Sequence, residues 1–430
     1  MSKGERFTAE TQASVQRVHA LTGFHKTSGI LLIALPVLVY YMWISITYNG
    51  GGLILPTSIP ELRQLVLYVP SLSLVSVIFY GSWLILQTLL QIYAPGKLVK
   101  GSPLTDGSRL TYVMNGWFSL WVTLGLAGFV VWIGWFPATF LFDQLGPLIT
   151  TVNLFAFVFS FYLYFYGRKE LKGHTRSGRF VYDYFVGTTL NPRVGRFDYK
   201  LFFESRPGLI LWVLINFSCA AKQLELHGEI THPMMLVCIF QFIYVADYFY
   251  NEKSILSTID IKYENFGWML CWGSTVWVPF TYTIPAAYLT NHTHELPTYL
   301  MVSILTLYVT GYYIFRSTNN QKARFREYPE ARIWGKPPES IRTHSGRRLL
   351  VSGWWGKARH FNYLGDMIMG LAWCLPCLTH HLLSYFYFIY ITWLLLHREW
   401  RDNQLCQVKY GEDWEEYCRR VPWRIIPGIY

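Results

Sequence analysis

Residues 29–48 read Gly29-Ile30-Leu31-Leu32-Ile33-Ala34-Leu35-Pro36-Val37-Leu38-Val39-Tyr40-Tyr41-Met42-Trp43-Ile44-Ser45-Ile46-Thr47-Tyr48, with no charged side chain among them. A helix needs about 20 such residues to cross a hydrocarbon core of about 30 Å, so a run this long and apolar predicts a membrane span. Comparable runs follow at 62–93 (long enough to tilt), 113–135, 147–166, 208–226, 230–250, 267–288 and 297–316. The stretch 361–397 is too long for one helix; Pro376 and the polar Thr379, His380 and His381 divide it into two spans. The pattern predicts an all-α polytopic membrane protein with about ten transmembrane helices.

The charges give an independent check. The 37 Lys and Arg fall in the N-terminal segment, in the loops after the second, fourth, sixth and eighth spans, and in the C-terminal tail. The exceptions, Arg63 and Lys222, lie at span ends, and the connections 49–61, 136–146, 289–296 and 378–383 carry no Lys or Arg. Cytoplasmic loops collect the positive charge, so both termini are expected to be cytoplasmic. The expected organisation is a cytoplasmic segment 1–28, then spans one to eight over 29–316 with a cytoplasmic loop at 167–206. A region at 317–430 then holds the last two spans and a cytoplasmic helical hairpin.

Composition agrees. Of 430 residues 52% are hydrophobic and only 15% charged, whereas soluble domains carry roughly a quarter charged. Aromatics reach 18%, as suits rings placed at bilayer interfaces. The net charge of +11 is that of a cytoplasmic membrane face, so nucleic-acid binding is not needed to explain it. The seven Cys are scattered, and the Cys374/Cys377 pair sits in an apolar run with no second pair, so packing is expected there and no metal site. The chain stays polar for nearly thirty residues before its first apolar run, so no cleavable signal peptide is expected.

Three polar segments could carry chemistry. Lys322 and Arg326, at i,i+4 on a helical extension of the eighth span, repel each other unless an anion lies between them. A phosphate fits a planar guanidinium fork beside a point charge; plain cytoplasmic basic residues are the alternative. The segment 349–366, LLVSGWWGKARHFNYLGD, sets two Trp between glycines ahead of Asn362, Tyr363 and Asp366 at the mouth of a span. Glycines admit close backbone approach, and flat aromatics with an amide suit a planar heteroaromatic ring; an interfacial aromatic belt would explain the Trp pair alone. In the tail, Arg398, Asp402, Cys406 and Lys409/Tyr410 share one helix face. Gly411 is placed to end that helix, and Asp413 with Glu416 to cap a second one carrying Trp414, Tyr417 and Cys418. There is no GxGxxG and no P-loop lysine, so no nucleotide is held by a Rossmann or Walker turn. Within the apolar runs, Tyr244 and Asp247 lie on one face of the sixth span, with Glu252 at its end; a carboxylate there is a functional candidate by default.

The segments 349–366 and 395–430 (LLHREWRDNQLCQVKYGEDWEEYCRRVPWRIIPGIY) resemble the sterol reductase family, and the ten-span layout extends the likeness over nearly the whole chain. The chain looks closest to the Δ14 branch. The resemblance implies an NADPH pocket at the cytoplasmic ends of the last spans. Lys322 and Arg326 would hold cofactor phosphate there. Leu350, Trp355, Asn362, Tyr363, Asp402, Cys406, Gln407, Val408, Lys409, Tyr410 and Tyr417 would line it. An isolated ring alkene has no carbonyl to stabilise a carbanion, so it must be protonated before it accepts hydride. The candidate acids or relays are Tyr244, Asp402 and Tyr417, then Asp247 and Glu252. The substrate would be a sterol entering from the bilayer, in the endoplasmic reticulum of a eukaryote or the inner membrane of a bacterium. Δ7 or Δ24(28) reduction is the near alternative, and an isoprenylcysteine-type membrane methyltransferase the remoter one. A transporter would show inverted repeats and broken central helices, and neither is legible. A sterol-binding scaffold without activity would not need the acids and the cofactor stripe.

Overall fold

The computed structural model describes residues 23–104, 108–170 and 177–430, so the N-terminal segment is covered from Gly23 onward and 171–176 of the cytoplasmic loop lie outside the described residues. The chain divides into two compact units, one of 23–295 with 379–384 and one of 296–378 with 385–430.

The first unit holds α1 (Phe24–Tyr48), α2 (Ile59–Leu67), α3 (Leu74–Tyr93), α4 (Gly116–Trp132), α5 (Leu145–Glu170), α6 (Tyr199–His227) and α7 (His232–Tyr250). Among the described residues, α1, α3, α5, α6 and α7, together with α8 (Thr298–Glu327) of the second unit, make six helices long and apolar enough to cross a membrane. Helix α4 is apolar but shorter.

Two expected spans are not single helices. The run 62–93 is α2 and α3, because Pro70 follows Val69 and cannot continue a helix. Helix α2 starts one turn earlier than the apolar run, where the Ser58 side chain accepts the Glu61 N–H and Pro60 occupies the first turn. The run 267–288 is broken into Trp268–Trp272, a π turn at Gly273–Trp277, Val278–Thr281 and Ile284–Asn291. Pro279 and Pro285 each remove a donor from the ladder, and the π turn lets the Ser274 carbonyl pack on Gly208 of α6, where a side chain would not fit. The structure is mostly helical, as expected, and three short antiparallel pairs interrupt the helices. They are β1 (Lys97–Pro103) with β2 (Arg109–Met114), β3 (Arg193–Val194) with β4 (Phe197–Asp198), and β5 (Ser340–Arg342) with β6 (Arg348–Leu350).

In the second unit α8 runs on past its apolar part into a polar extension from Arg316 to Glu327. It packs on α9 (Phe361–Cys374) through glycines. A Cβ built on Gly365 would lie 2.6 Å from the Phe315 amide nitrogen and 2.7 Å from the Gly311 carbonyl oxygen. With 14 residues, α9 is about 21 Å long. Cys374 and Cys377 are buried at its end, as packing residues. Helix α10 (Phe386–Tyr410) is longer and carries the polar stripe.

The tail folds as the expected helical hairpin, with α11 (Glu412–Arg420) reversing at Gly411, whose φ of 54° favours glycine. The expected Asp413/Glu416 cap does not form. Asp413 accepts instead from the His344 backbone N–H at 2.8 Å and pairs with its Nδ1 at 2.9 Å, while Glu416 pairs with Arg419 and Arg420. Asp413 therefore ties the β5–β6 turn to α11, and Ile341 and Leu349 of that ribbon pack on buried Trp414, Tyr417 and Val421.

Because α8 and α9 meet backbone to backbone, Gly365→Leu should lower stability by about 1–3 kcal/mol. Thermal unfolding of detergent-purified protein measures this, and an unchanged Tm would contradict the close approach.

Candidate functional site

The site grows from the polar extension of α8. Lys322 lies on the face of Trp355, with Nζ 3.8 Å from the ring centroid, and the Trp355 indole N–H donates to the Thr318 carbonyl at 2.9 Å. Trp355, Leu350 and Phe325 form one buried apolar cluster, so the indole is fixed twice, by packing and by its polar edge. The turn that presents it depends on Gly353. Its φ is 64°, and an added Cβ would lie 2.5 Å from the Gln321 side-chain oxygen, which accepts the Trp354 N–H at 3.0 Å. Trp354 in turn stacks on Phe361 at 4.7 Å.

Helix α10 brings the opposite wall. Asp402 faces His360, with Nε2 and Oδ2 3.4 Å apart. Burial alone would raise this carboxyl, but the hydrogen bond and charge of His360, with Lys322 and Arg398, pull it down to about 2. It is held ionised. The Cys406 thiol lies 3.9 Å from the same carboxylate, and burial next to that charge pushes the thiol well up. Lys322 is lowered to about 8, first by desolvation and then by Arg326; Lys409 is also lowered to about 8, by desolvation and then by Arg347. Two lysines poised this way lose charge readily and gain a great deal from an anion.

Beyond these, Tyr410, Trp414 and Tyr417 stack in series, at 6.3 and 5.0 Å between centroids. The Trp414 indole N–H donates to Asn403 at 3.0 Å. Tyr417 is buried, and desolvation keeps its phenol protonated far above its ordinary range. Tyr363 stacks on His360 at 4.7 Å. Asn362 donates to the Asn319 side-chain oxygen at 3.3 Å, while its own buried side-chain carbonyl oxygen has no partner among the described residues.

The second unit thus assembles Lys322, Arg326, Leu350, Trp355, Asn362, Tyr363, Asp402, Cys406, Lys409, Tyr410 and Tyr417. Gln407 and Val408 are exposed on α10. Sequence reasoning missed Arg347, which hydrogen-bonds Tyr410, and His360, the partner of Asp402. Arg347 stands two residues ahead of the quoted motif in a basic run; His360 stands inside it.

The other acid candidates belong to the first unit. Tyr244 lies against Trp212 at 6.2 Å, and Asp247 accepts from Asn251 at 3.3 Å. Glu252 stands just beyond the end of α7. It is buried in an ion pair with equally buried Arg206 at 3.1 Å and accepts the Gly116 N–H at 2.9 Å. The Arg206 charge and the Gly116 N–H offset part of the cost of burying this carboxyl, which burial alone raises. Among the described residues no cluster of His, Cys, Asp and Glu could hold a metal.

A model of the ergosterol biosynthesis ERG4/ERG24 family matches residues 18–430. The chain is 50% identical over 418 residues to a "Delta(14)-sterol reductase" of Methylotuvimicrobium alcaliphilum, covering 97% of this chain and 98% of that protein. It is 47% identical over 433 residues to a protein of the same name from Dictyostelium discoideum, covering 97% and 94%. A "7-dehydrocholesterol reductase" of Xenopus laevis is 40% identical over 439 residues, covering 95% and 93%. A likeness over the whole length replaces the methyltransferase alternative.

Because the Lys322 and Lys409 charges are lost as pH rises through about 8, inorganic pyrophosphate should bind more weakly at pH 9 than at pH 7, by about a factor of ten per lysine. Titration calorimetry reads the change; a pH-independent affinity would contradict the paired lysines as anion ligands.

Proposed function

The chain belongs to the ergosterol biosynthesis ERG4/ERG24 family, and from that premise we propose that it is a Δ14-sterol reductase of sterol biosynthesis that uses NADPH. The identity to Δ14 enzymes along the whole chain supports the substrate, and the cluster of lysine and arginine around Asp402 supports the cofactor. The donor set fits a phosphorylated dinucleotide: cations for its phosphates, stacked aromatics for its rings, and in Asn362 an unpartnered acceptor suited to a carboxamide N–H. When bound, NADPH supplies the hydride.

The chain's own residues do the rest. Lys322, Arg326 and Lys409 bind phosphate; Leu350, Trp355 and Tyr363 flank the cofactor; Asp402 and His360 fix the wall opposite Lys322. The proton must come from a group that is neutral when the alkene arrives, and Tyr417, with Tyr244, fits that demand better than the paired carboxylates do. Protonating the less substituted carbon places the positive charge on the tertiary ring carbon, which then receives hydride.

In this reading the chain crosses the membrane about ten times with both termini cytoplasmic, the broken 267–288 segment and the α9–α10 pair completing the count. Residues 317–430 then form the cofactor region. The compartment would be the endoplasmic reticulum of a eukaryotic host or the inner membrane of a bacterial one, and the sterol would arrive sideways from the lipid.

Purified protein incubated with NADPH and a panel of Δ14, Δ7 and Δ24(28) sterols in D2O, analysed by mass spectrometry and NMR, tests this. The Δ14 sterol should be consumed, with one solvent deuterium on the less substituted carbon. Turnover of another member alone, or deuterium on the tertiary carbon, would overturn the reading.

A further inference from the structure

Arg347 has no place in the binding stripe read from the sequence, yet the fold carries it there. It closes the turn between β5 and β6: its backbone N–H donates to the Thr343 hydroxyl at 3.0 Å, and its carbonyl accepts the Thr343 N–H at 2.8 Å. That turn is pinned to α11 by the His344–Asp413 pair, 2.9 Å long, and by Ile341 and Leu349 on Trp414 and Tyr417. From it the Arg347 guanidinium reaches the Tyr410 hydroxyl, and its charge is felt by Arg326 and Lys409. Four cations therefore gather from three separate elements, and the carboxylate that Lys322, Arg326 and Lys409 share is Asp402.

Burial grades these cations. Lys322 and Lys409 are half-buried, Lys322 on the Trp355 ring, whereas Arg326 and Arg347 are exposed. A nucleotide that delivers hydride to a greasy substrate must put its nicotinamide at the dry end, so its adenosine half lies toward the exposed end. Charge points the same way. A dinucleotide pyrophosphate brings two negative charges, and a ribose 2′-phosphate adds about 1.5 to 2 more. The pyrophosphate can be met by the half-buried lysines; two exposed arginines beside them suit a further phosphomonoester, which guanidinium forks bind in bidentate fashion.

We propose that Arg347 is a ligand of the cofactor's 2′-phosphate and a determinant of the preference for NADPH over NADH. This rests on the reductase reading of the site. Its anchoring by Tyr410 and the Thr343 turn holds the guanidinium in place before the nucleotide arrives, so little ordering cost is left at binding.

The test is equilibrium binding of adenosine 2′,5′-bisphosphate, 5′-AMP, NADPH and NADH to full-length protein and to Arg347→Ala and Arg347→Lys, with Tm recorded for each. Arg347→Ala should weaken adenosine 2′,5′-bisphosphate and NADPH by roughly tenfold to a hundredfold, the worth of a charge-assisted hydrogen bond. It should leave 5′-AMP, NADH and Tm unchanged. Arg347→Lys, which keeps the charge and loses the fork, should fall between. Equal weakening of all four ligands, or no weakening of any, would overturn the assignment while leaving the reductase reading intact. Wild-type protein that binds neither NADPH nor the bisphosphate would overturn both.

Discussion

Two lysines and an arginine share one carboxylate, with a second arginine beside them; the four cations repel one another, and the elements that carry them cannot relax the strain by moving apart. Three of them stand on elements locked by other contacts. Lys322 rests on an indole that is itself locked by Thr318 and by apolar packing. Arg347 is fixed by a hairpin whose apolar face is buried on Trp414 and Tyr417. Lys409 lies near the end of a helix that stops at Gly411. The protein keeps a concentrated positive field at this place, and a bound polyanion relieves the repulsion in one step. Everything assigned to the second unit follows from that constraint.

The surrounding architecture serves it. Glycines at 311 and 365 bring α8 and α9 into backbone contact, which sets the polar extension of α8 against the start of α9, where Asn362 and Tyr363 stand. Gly353 allows the turn that puts Trp355 under Lys322. His360 faces Asp402, so the single negative group of the cluster is itself oriented and does not neutralise the lysines outright. The first unit solves a different electrostatic problem with the same economy: Arg206 and Glu252, both buried, compensate each other inside the helical core.

Much of this was legible in the sequence for identifiable reasons. Long uncharged runs gave α1, α3, α5, α6, α7 and α8, since hydropathy is a local property. The cofactor-site residues stood in three short segments, and the fold gathers those from 322 to 417 in one unit. Span boundaries were less legible where proline acts: Val69-Pro70 cut one run in two, and Pro279 with Pro285 broke another despite its apolar composition. Partnerships between distant residues could not be read at all. Asp413 looked like a helix cap and is a tether for His344, Glu252 is the partner of Arg206, and Arg347, which stands outside the quoted motifs, is placed by the hairpin at Tyr410. Pairings across 69 or 46 residues depend on tertiary folding, not on spacing.

The most direct measurement is a titration of the purified protein with NADPH, followed by quenching of its tryptophan fluorescence, alongside the Lys322→Ala/Arg326→Ala double variant. Saturable binding to the wild type, weakened by about a hundredfold or more in the variant, is the predicted result. No binding to the wild type, or the same affinity in both proteins, would contradict the claim that these cations exist to hold a phosphorylated cofactor.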